Sequence, residues 1–140
     1  MKILVAADGS TFTKKMLAYL AAHDEWLGDR HQYTVVHAVP AVPPTAVDML
    51  DKDTLKAYCD ESAEKVFKPI RTFFGRQGLQ AQFVAKTGPA AGVIADAARK
   101  GRHDLLVMGS HGHGAIVNLV MGSVATRVLA RCTTPVLLIR

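Results

Sequence analysis

Short runs of consecutive apolar residues alternate along the chain with longer segments in which apolar residues recur every three or four positions. Runs of the first kind are typical of strands buried in a parallel sheet, and the wider spacing is typical of amphipathic helices. The strand-like runs are KILVAA (2–7), YTVVHAV (33–39), QAQFVAK (80–86), DLLVMG (104–109) and PVLLI (135–139). The pattern therefore predicts five strands.

The helical segments lie between these runs. The first helix begins after Ser10 or Thr11, either of which can cap it. The others are predicted over residues 51–76, 89–101 and 123–132. Pro69 lies inside the second of these helices and is expected to kink it or divide it in two. Strands that alternate with helices predict one α/β domain over residues 1–140, a five-stranded, parallel, doubly wound sandwich of Rossmann-like type.

Length and composition fit one ordinary folded domain. The chain has 140 residues, of which 49% are hydrophobic and 21% charged, as in average globular proteins. Its two cysteines, Cys59 and Cys132, form neither a CxxC pair nor a metal-ligand spacing, so we expect free thiols in a reducing compartment. The apolar N-terminal run is too short for a signal peptide, and no run is long enough for a membrane span. These features predict a cytoplasmic protein without a membrane partner.

The formal net charge of +5 makes an anionic partner conceivable. The basic residues are scattered, however, and no block of five or more occurs. This distribution favours a solvated surface over a nucleic-acid interface. We therefore expect no nucleic-acid partner, although the charge permits a phosphate ligand.

The stretch GSHGHGAIVNLVMGS (109–123) follows a predicted strand and ends where a predicted helix begins. Backbone N–H groups at a helix start lack partners, and the helix dipole there favours phosphate. Neither a Walker A loop nor a GxGxxG motif after the first strand is present. The spacing is instead G-x2-G-x9-G-[ST], formed by Gly109, Gly112, Gly122 and Ser123. It predicts a phosphate cradle at the carboxyl ends of the strands, on the same rim as Asp8.

Structural explanations compete with this interpretation. Turn geometry alone can account for the glycines, and Ser123 is a good helix N-cap with or without a phosphate. Asp8 can cap the first helix or hold the turn at Gly9 by hydrogen bonds to its own backbone.

Three histidines also have structural explanations. The pair His111 and His113 lacks a further metal ligand at a suitable spacing, so we expect contact with phosphate or solvent instead of a metal site. His37, in an apolar strand, is expected to be a hydrogen-bonded core residue.

The chain resembles the universal stress protein family over its full length. The resemblance rests on ILVAADGS, VVHAV, DLLVMGSHG and GSVATRVLARCTTPVLLIR together with the glycine spacing. It implies the adenine nucleotide alpha hydrolase-like fold, a role in stress response and the ATP-binding subgroup, with Asp8 beside the adenosine and the backbone of Ala38 near the adenine edge. The other residues that it assigns to the nucleotide site are Ala6, Gly109, Ser110, His111, Gly112, His113, Gly114, Gly122, Ser123 and Val124.

The sequence favours nucleotide binding over rapid catalysis. No Ser-His-acid arrangement stands out, and the glycine loop has no lysine to stabilise a transferring phosphoryl group. We expect ATP with Mg²⁺, hydrolysed slowly at most, with ADP, AMP or cyclic AMP as alternative ligands. The competing hypothesis is a nucleotide-free docking protein of the same fold.

The last strand, PVLLI (135–139), carries no charge and is predicted to form a sheet edge. An uncharged apolar edge tends to pair with another strand. A symmetric copy of the chain is the simplest cover, so the sequence predicts a two-fold homodimer through residues 135–139.

Overall fold

Five parallel strands form one sheet with helices on both faces. The computed structural model describes residues 1–114, 116 and 118–140. The strands are β1 (Lys2–Ala6), β2 (Gln32–Val39), β3 (Ala81–Thr87), β4 (Leu105–Gly109) and β5 (Val136–Ile139). The helices are α1 (Thr11–Ala21), α2 (Pro44–Val47), α3 (Lys52–Arg76), α4 (Ala90–Lys100) and α5 (Ser123–Arg131).

The strand order is β3-β2-β1-β4-β5, which confirms the predicted doubly wound topology. β1 lies at the centre, where Leu4 is opposite Thr34 of β2 on one side and Leu106 of β4 on the other. The chain winds outward from β1 through β2 and β3, then returns to build β4 and β5 on the opposite side. The direction of winding therefore reverses between β1 and β4, and the carboxyl ends of these two strands flank a crevice.

Alternate residues of the central strand supply two separate cores. Ile3 and Val5 face α1 and α3 and pack in one cluster with Met16 and Phe67. Leu4 points to the opposite face, where it packs in a second cluster with residues of α4 and α5. Because successive side chains of a strand point to opposite faces, a continuous apolar run is what a sheet covered on both sides requires.

Three local predictions need correction or completion. The short helix α2 occupies part of the segment between β2 and α3, for which no helix was predicted. Ser123 was expected to be the N-cap of α5, and this is wrong. Gly122 occupies the N-cap position and Ser123 is the first helical residue. Helix α3 continues through Pro69 from Lys52 to Arg76, so the proline does not divide it.

The prediction for His37 is confirmed. Its side chain is buried, and Nδ1 lies 2.9 Å from the carbonyl oxygen of Ala7. Cys59 and Cys132 are free cysteines, also as expected. Among the described residues, no helix combines the length and apolarity that crossing a bilayer would require.

Candidate functional site

A cavity of about 480 Å³ opens at the carboxyl ends of β1 and β4, where the winding of the sheet reverses. Crevices at such switch points are the usual ligand sites of doubly wound sheets. The cavity has a size typical of sites for small molecules. It is lined by all of the predicted site residues except Ser110, namely Ala6, Asp8, Ala38, Gly109, His111, Gly112, His113, Gly114, Gly122, Ser123 and Val124.

Ser110 lies outside the cavity lining but bonds to the segments that carry it. Its side chain is buried, and Oγ lies 2.9 Å from Nδ1 of His111. Its backbone N–H donates to Ile139 O (2.8 Å), and its carbonyl accepts from Gly122 N–H (2.8 Å). Ser110 therefore joins the end of β5 to the start of α5 and holds the loop in place, with its side chain outside the cavity lining.

Sequence reasoning missed most of the apolar lining. The additional lining residues are Ala7, Thr13, Val36, His37, Ala90, Ile94, Met108, Ile116, Leu119 and Ala125. Val36 and Met108 share one face of the sheet with Ile94 of α4, in the cluster beneath α4 and α5. The position of Val36 and Met108 just before the ends of β2 and β4 was the signal in the sequence. Whether that face of the sheet lines a cavity depends on where α4 packs.

The carboxylate of Asp8 holds the turn that follows β1. Its Oδ1 accepts hydrogen bonds from the backbone N–H of Ser10 (2.9 Å) and from the Thr13 hydroxyl (3.0 Å). The same hydroxyl accepts from the N–H groups of Asp8 and Gly9, both at 3.2 Å. Of the two structural roles considered for Asp8, the structure shows the turn-holding one.

The hydrogen bonds also keep Asp8 ionised. Burial raises the pKa of the Asp8 carboxyl, but hydrogen bonding by Ser10 and Thr13 and the nearby His113 outweigh burial, so that the pKa lies below its ordinary value. The rim of the cavity therefore carries a fixed negative charge at neutral pH. Among the described residues of the lining, Asp8 is the only carboxylate and none is lysine or arginine.

Both histidines of the loop bond to backbone carbonyls. Nε2 of His111 lies 2.8 Å from Leu119 O, and Nε2 of His113 lies 2.8 Å from Asp8 O. Because a carbonyl only accepts hydrogen bonds, each Nε2 carries its proton and donates. The His111 ring thus links two parts of the loop, and the His113 ring links the loop to the turn after β1. Both rings also line the cavity.

The glycine loop packs directly on its neighbours. A Cβ added at Gly109 would lie 2.7 Å from Cβ of Phe12 in α1, and one added at Gly112 would lie 2.6 Å from Oδ2 of Asp8. Both distances are far below van der Waals contact, so a side chain at Gly109 would displace α1 and one at Gly112 would push the end of the Asp8 side chain aside. Internal packing therefore accounts for these two glycines and keeps the backbone of the loop close to the cavity.

The first turn of α5 closes the cavity on the side of the loop, through Ser123, Val124 and Ala125. The first N–H groups of an α-helix have no partner within the helix, and the dipole adds partial positive charge there. Such backbone groups are the kind that favour an anion, and no described residue of the lining is lysine or arginine.

Comparison with known proteins identifies the family. The sequence profile of the universal stress protein family matches residues 1–140. A curated relative, the "Universal stress protein in QAH/OAS sulfhydrylase 3'region" of Thermus aquaticus, is 36% identical over 138 residues, which cover 99% of this chain and 97% of that protein. The chain belongs to the universal stress protein family, as its resemblance implied.

Solved structures show the same fold. The universal stress protein UspA from Lactobacillus plantarum superposes with a TM-score of 0.80 at 19% identity, covering 100% of this chain and 97% of that chain. A universal stress protein family protein from Arabidopsis thaliana, solved with AMP bound, has a TM-score of 0.69 at 20% identity and covers 99% and 90% of the two chains. At these identities the likeness shows the fold alone.

Proposed function

We propose that this protein binds an adenine nucleotide, with ATP and Mg²⁺ as the expected ligand, in the cavity between β1 and β4. The observation that carries the proposal is the lining of the cavity: apolar side chains on one wall, and the glycine loop with the first turn of α5 on the other. An apolar wall suits a base, whereas unpaired N–H groups at a helix start suit a phosphate. The AMP bound to the related Arabidopsis protein supports this assignment.

The nucleotide would be held largely by backbone groups. The phosphates would lie at Gly109, Gly112, Gly122 and Ser123, and the adenosine would lie between Asp8 and Ala38. The residues fit a Mg²⁺ ion carried by the phosphates, because the Asp8 carboxylate is ionised and lies at the rim of the cavity. Its Oδ1 is engaged in the turn, so any contact with the ion would be made by the other carboxylate oxygen. When bound, the ion would supply positive charge that the described lining residues lack.

The same lining argues against rapid hydrolysis. Phosphoryl transfer is accelerated chiefly by positive charge placed on the phosphates, for which lysine, arginine and metal ions are the usual sources. No lysine or arginine is among the described residues of the cavity. We therefore infer a nucleotide-dependent regulatory module of the stress response, located in the cytoplasm, with slow Mg²⁺-dependent hydrolysis at most.

We expect a homodimer through β5. Pro135 O and Ile139 O accept hydrogen bonds from β4 and from Ser110 next to it, so these residues turn toward β4. Because backbone groups alternate along a strand, Val136 and Leu138 turn their N–H and C=O groups to the free edge. Sedimentation velocity should show a dimer. Leu138→Pro removes an outward N–H and, with it, a side chain that packs on the core beneath α4 and α5, so it should yield a less stable monomer that circular dichroism still shows to be folded. A monomeric wild type at every concentration tested would refute this interface.

The first test is to identify any nucleotide that copurifies with the protein, by acid denaturation and mass spectrometry, and then to titrate ATP, ADP, AMP and cyclic AMP calorimetrically. Val124→Glu puts a carboxylate at the phosphate wall on a side chain that is 36% exposed. The matched control is Leu129→Glu, on the same helix and 41% exposed but outside the lining. We expect about tenfold or greater loss of ATP affinity in the first variant and none in the second.

The competing function is a nucleotide-free docking protein of the same fold. It is favoured by the packing of Gly109 and Gly112, which requires glycine whether or not a phosphate is present. Absence of copurified nucleotide, together with no heat of binding for any of the four ligands, would establish this alternative over the nucleotide site. If ATP binds, phosphate release measured over hours distinguishes a slow ATPase from a binding module.

A further inference from the structure

A larger groove, of about 1110 Å³, lies on the opposite side of α4 from the nucleotide cavity, over β2 and β3. It exists because the two helix layers cover the sheet unequally. On one face α3 reaches the edge strand, where the rings of Phe67 and Phe83 lie 5.2 Å apart. On the other face α4 packs mainly on β1, β2 and α5, so within the described residues the helices leave side chains of β3 open to the groove there.

The floor of this groove mixes polar side chains with an apolar one, Val84 of β3, whereas the core beneath α4 is apolar. Thr34 of β2 is paired with Gln82 of β3, and both line the groove with Lys86 further along β3. Val36, two residues beyond Thr34 on the same face of β2, is buried in the core beneath α4. The change from valine to threonine and glutamine marks the point where the sheet leaves the core and meets solvent.

Lysine side chains lie at both ends of the groove. Lys2 and Lys100 lie at the end formed by the amino ends of the strands, together with two histidines, and Lys86 lies at the other end. The only carboxylate among the described lining residues is Asp96, which already pairs with Arg99 (3.0 Å) and Lys100 (3.5 Å). Within the described part of the chain, Lys2 and Lys86 form no ion pair. Lys100 is paired with Asp96, and the Asp104 carboxylate accepts from the backbone N–H of Lys2 (2.7 Å). The ammonium groups of Lys2 and Lys86 are therefore what the groove offers to an external partner.

We infer that the groove is a docking site for an extended, acidic segment of another protein. β3 has seven residues and spans about 23 Å, enough for an extended segment of about seven residues lying alongside it. Lysines at both ends of the groove fit carboxylates at both ends of such a segment. This inference is independent of the nucleotide site.

A peptide fits the lining better than a nucleic acid does. Surfaces that bind single-stranded nucleic acid combine basic groups with exposed aromatic rings on which bases stack. Tyr33 is the only Phe, Tyr or Trp among the described lining residues, and it is 3% exposed. The floor instead offers hydroxyl and amide groups, which suit the backbone of a peptide.

The test uses the full-length protein and a fluorescein-labelled octapeptide of alternating glutamate and valine, followed by fluorescence polarisation. We expect saturable binding that weakens as salt is raised, because the contacts are between exposed charges. The double variant Lys2→Gln/Lys86→Gln should bind about tenfold more weakly. Lys68→Gln, which removes an exposed lysine from α3 on the other face, is the matched control and should bind like the wild type.

Four outcomes would overturn the inference. These are no binding of the acidic peptide, unchanged affinity in the double variant, equal affinity for a peptide of alternating lysine and valine, and tighter binding of a ten-nucleotide oligothymidylate. Backbone amide shifts in NMR spectra locate the peptide independently of the variants. They should change at Thr34 and Gln82 and stay unchanged at Gly122 of the nucleotide cavity.

Discussion

The hydroxyl of Thr13 is the centre of the turn that shapes the rim of the cavity between β1 and β4. The residue is buried, 5% exposed, and its Oγ1 takes part in three hydrogen bonds. It accepts from the N–H groups of Asp8 and Gly9 and donates to Oδ1 of Asp8. Thr13→Val preserves the shape of the side chain but removes all three bonds.

We expect Thr13→Val to lower the free energy of unfolding by about 2 kcal/mol. One intramolecular hydrogen bond contributes about 1 kcal/mol net, and two of the lost bonds leave N–H groups without an acceptor. The turn is partly open to water, which can replace some of the lost contacts, so the full sum of about 3 kcal/mol is an upper value. The expected loss corresponds to about a 30-fold change in the ratio of folded to unfolded protein.

Urea unfolding followed by circular dichroism measures this loss. Thr13→Ser is the control, because it keeps the hydroxyl and removes one buried methyl group, for about 1 kcal/mol. The valine variant should therefore be less stable than the serine variant. If valine is as stable as the wild type, or more stable than serine, the hydroxyl does not hold the turn.

The pH dependence of the same variant provides a second readout. The pKa of Asp8 is lower in the folded protein than its ordinary value, so the carboxylate stabilises the fold above about pH 4. That contribution is lost as pH falls through the folded-state pKa. Thr13→Val removes one of the bonds that lower the pKa, so its stability deficit relative to the wild type should shrink below about pH 4. A deficit that is constant with pH would contradict the link between Thr13 and Asp8.

Three further predictions concern the backbone, and urea unfolding tests each of them. Pro69→Ala should raise the free energy of unfolding by about 2 kcal/mol, because α3 continues through the proline without the N–H that would bond to Lys65; a destabilised variant would show that the proline fits its position. Gly75→Ala should add about 0.5–1 kcal/mol, since a Cβ there meets nothing within 4 Å, and no gain would count against this. Gly112→Ala should cost about 1–3 kcal/mol through the clash with Asp8; an unchanged stability would mean that the loop moves freely away.

Much of the fold was predictable because its signals are local. Apolar runs identified the five strands, and helical periodicity identified the four longer helices. The position of the cavity followed from topology, since the carboxyl ends of parallel strands meet on one rim. Helix α2 was missed because four residues are too few to show a helical period. The N-cap of α5 was misplaced because Gly122 and Ser123 are both residues that N-cap positions favour.

Spacing along the chain is enough to predict the alternation of strands and helices, the doubly wound class and the residues that end β1 and β4. The contacts of those residues follow from packing between distant segments instead. Gly109 is set against Phe12, and Gly112 is set against Asp8, across about a hundred positions of sequence. The groove over β3 arises in the same way, because the lateral position of α4 on the sheet results from packing between distant segments. No periodic pattern of apolar residues along the chain encodes that position.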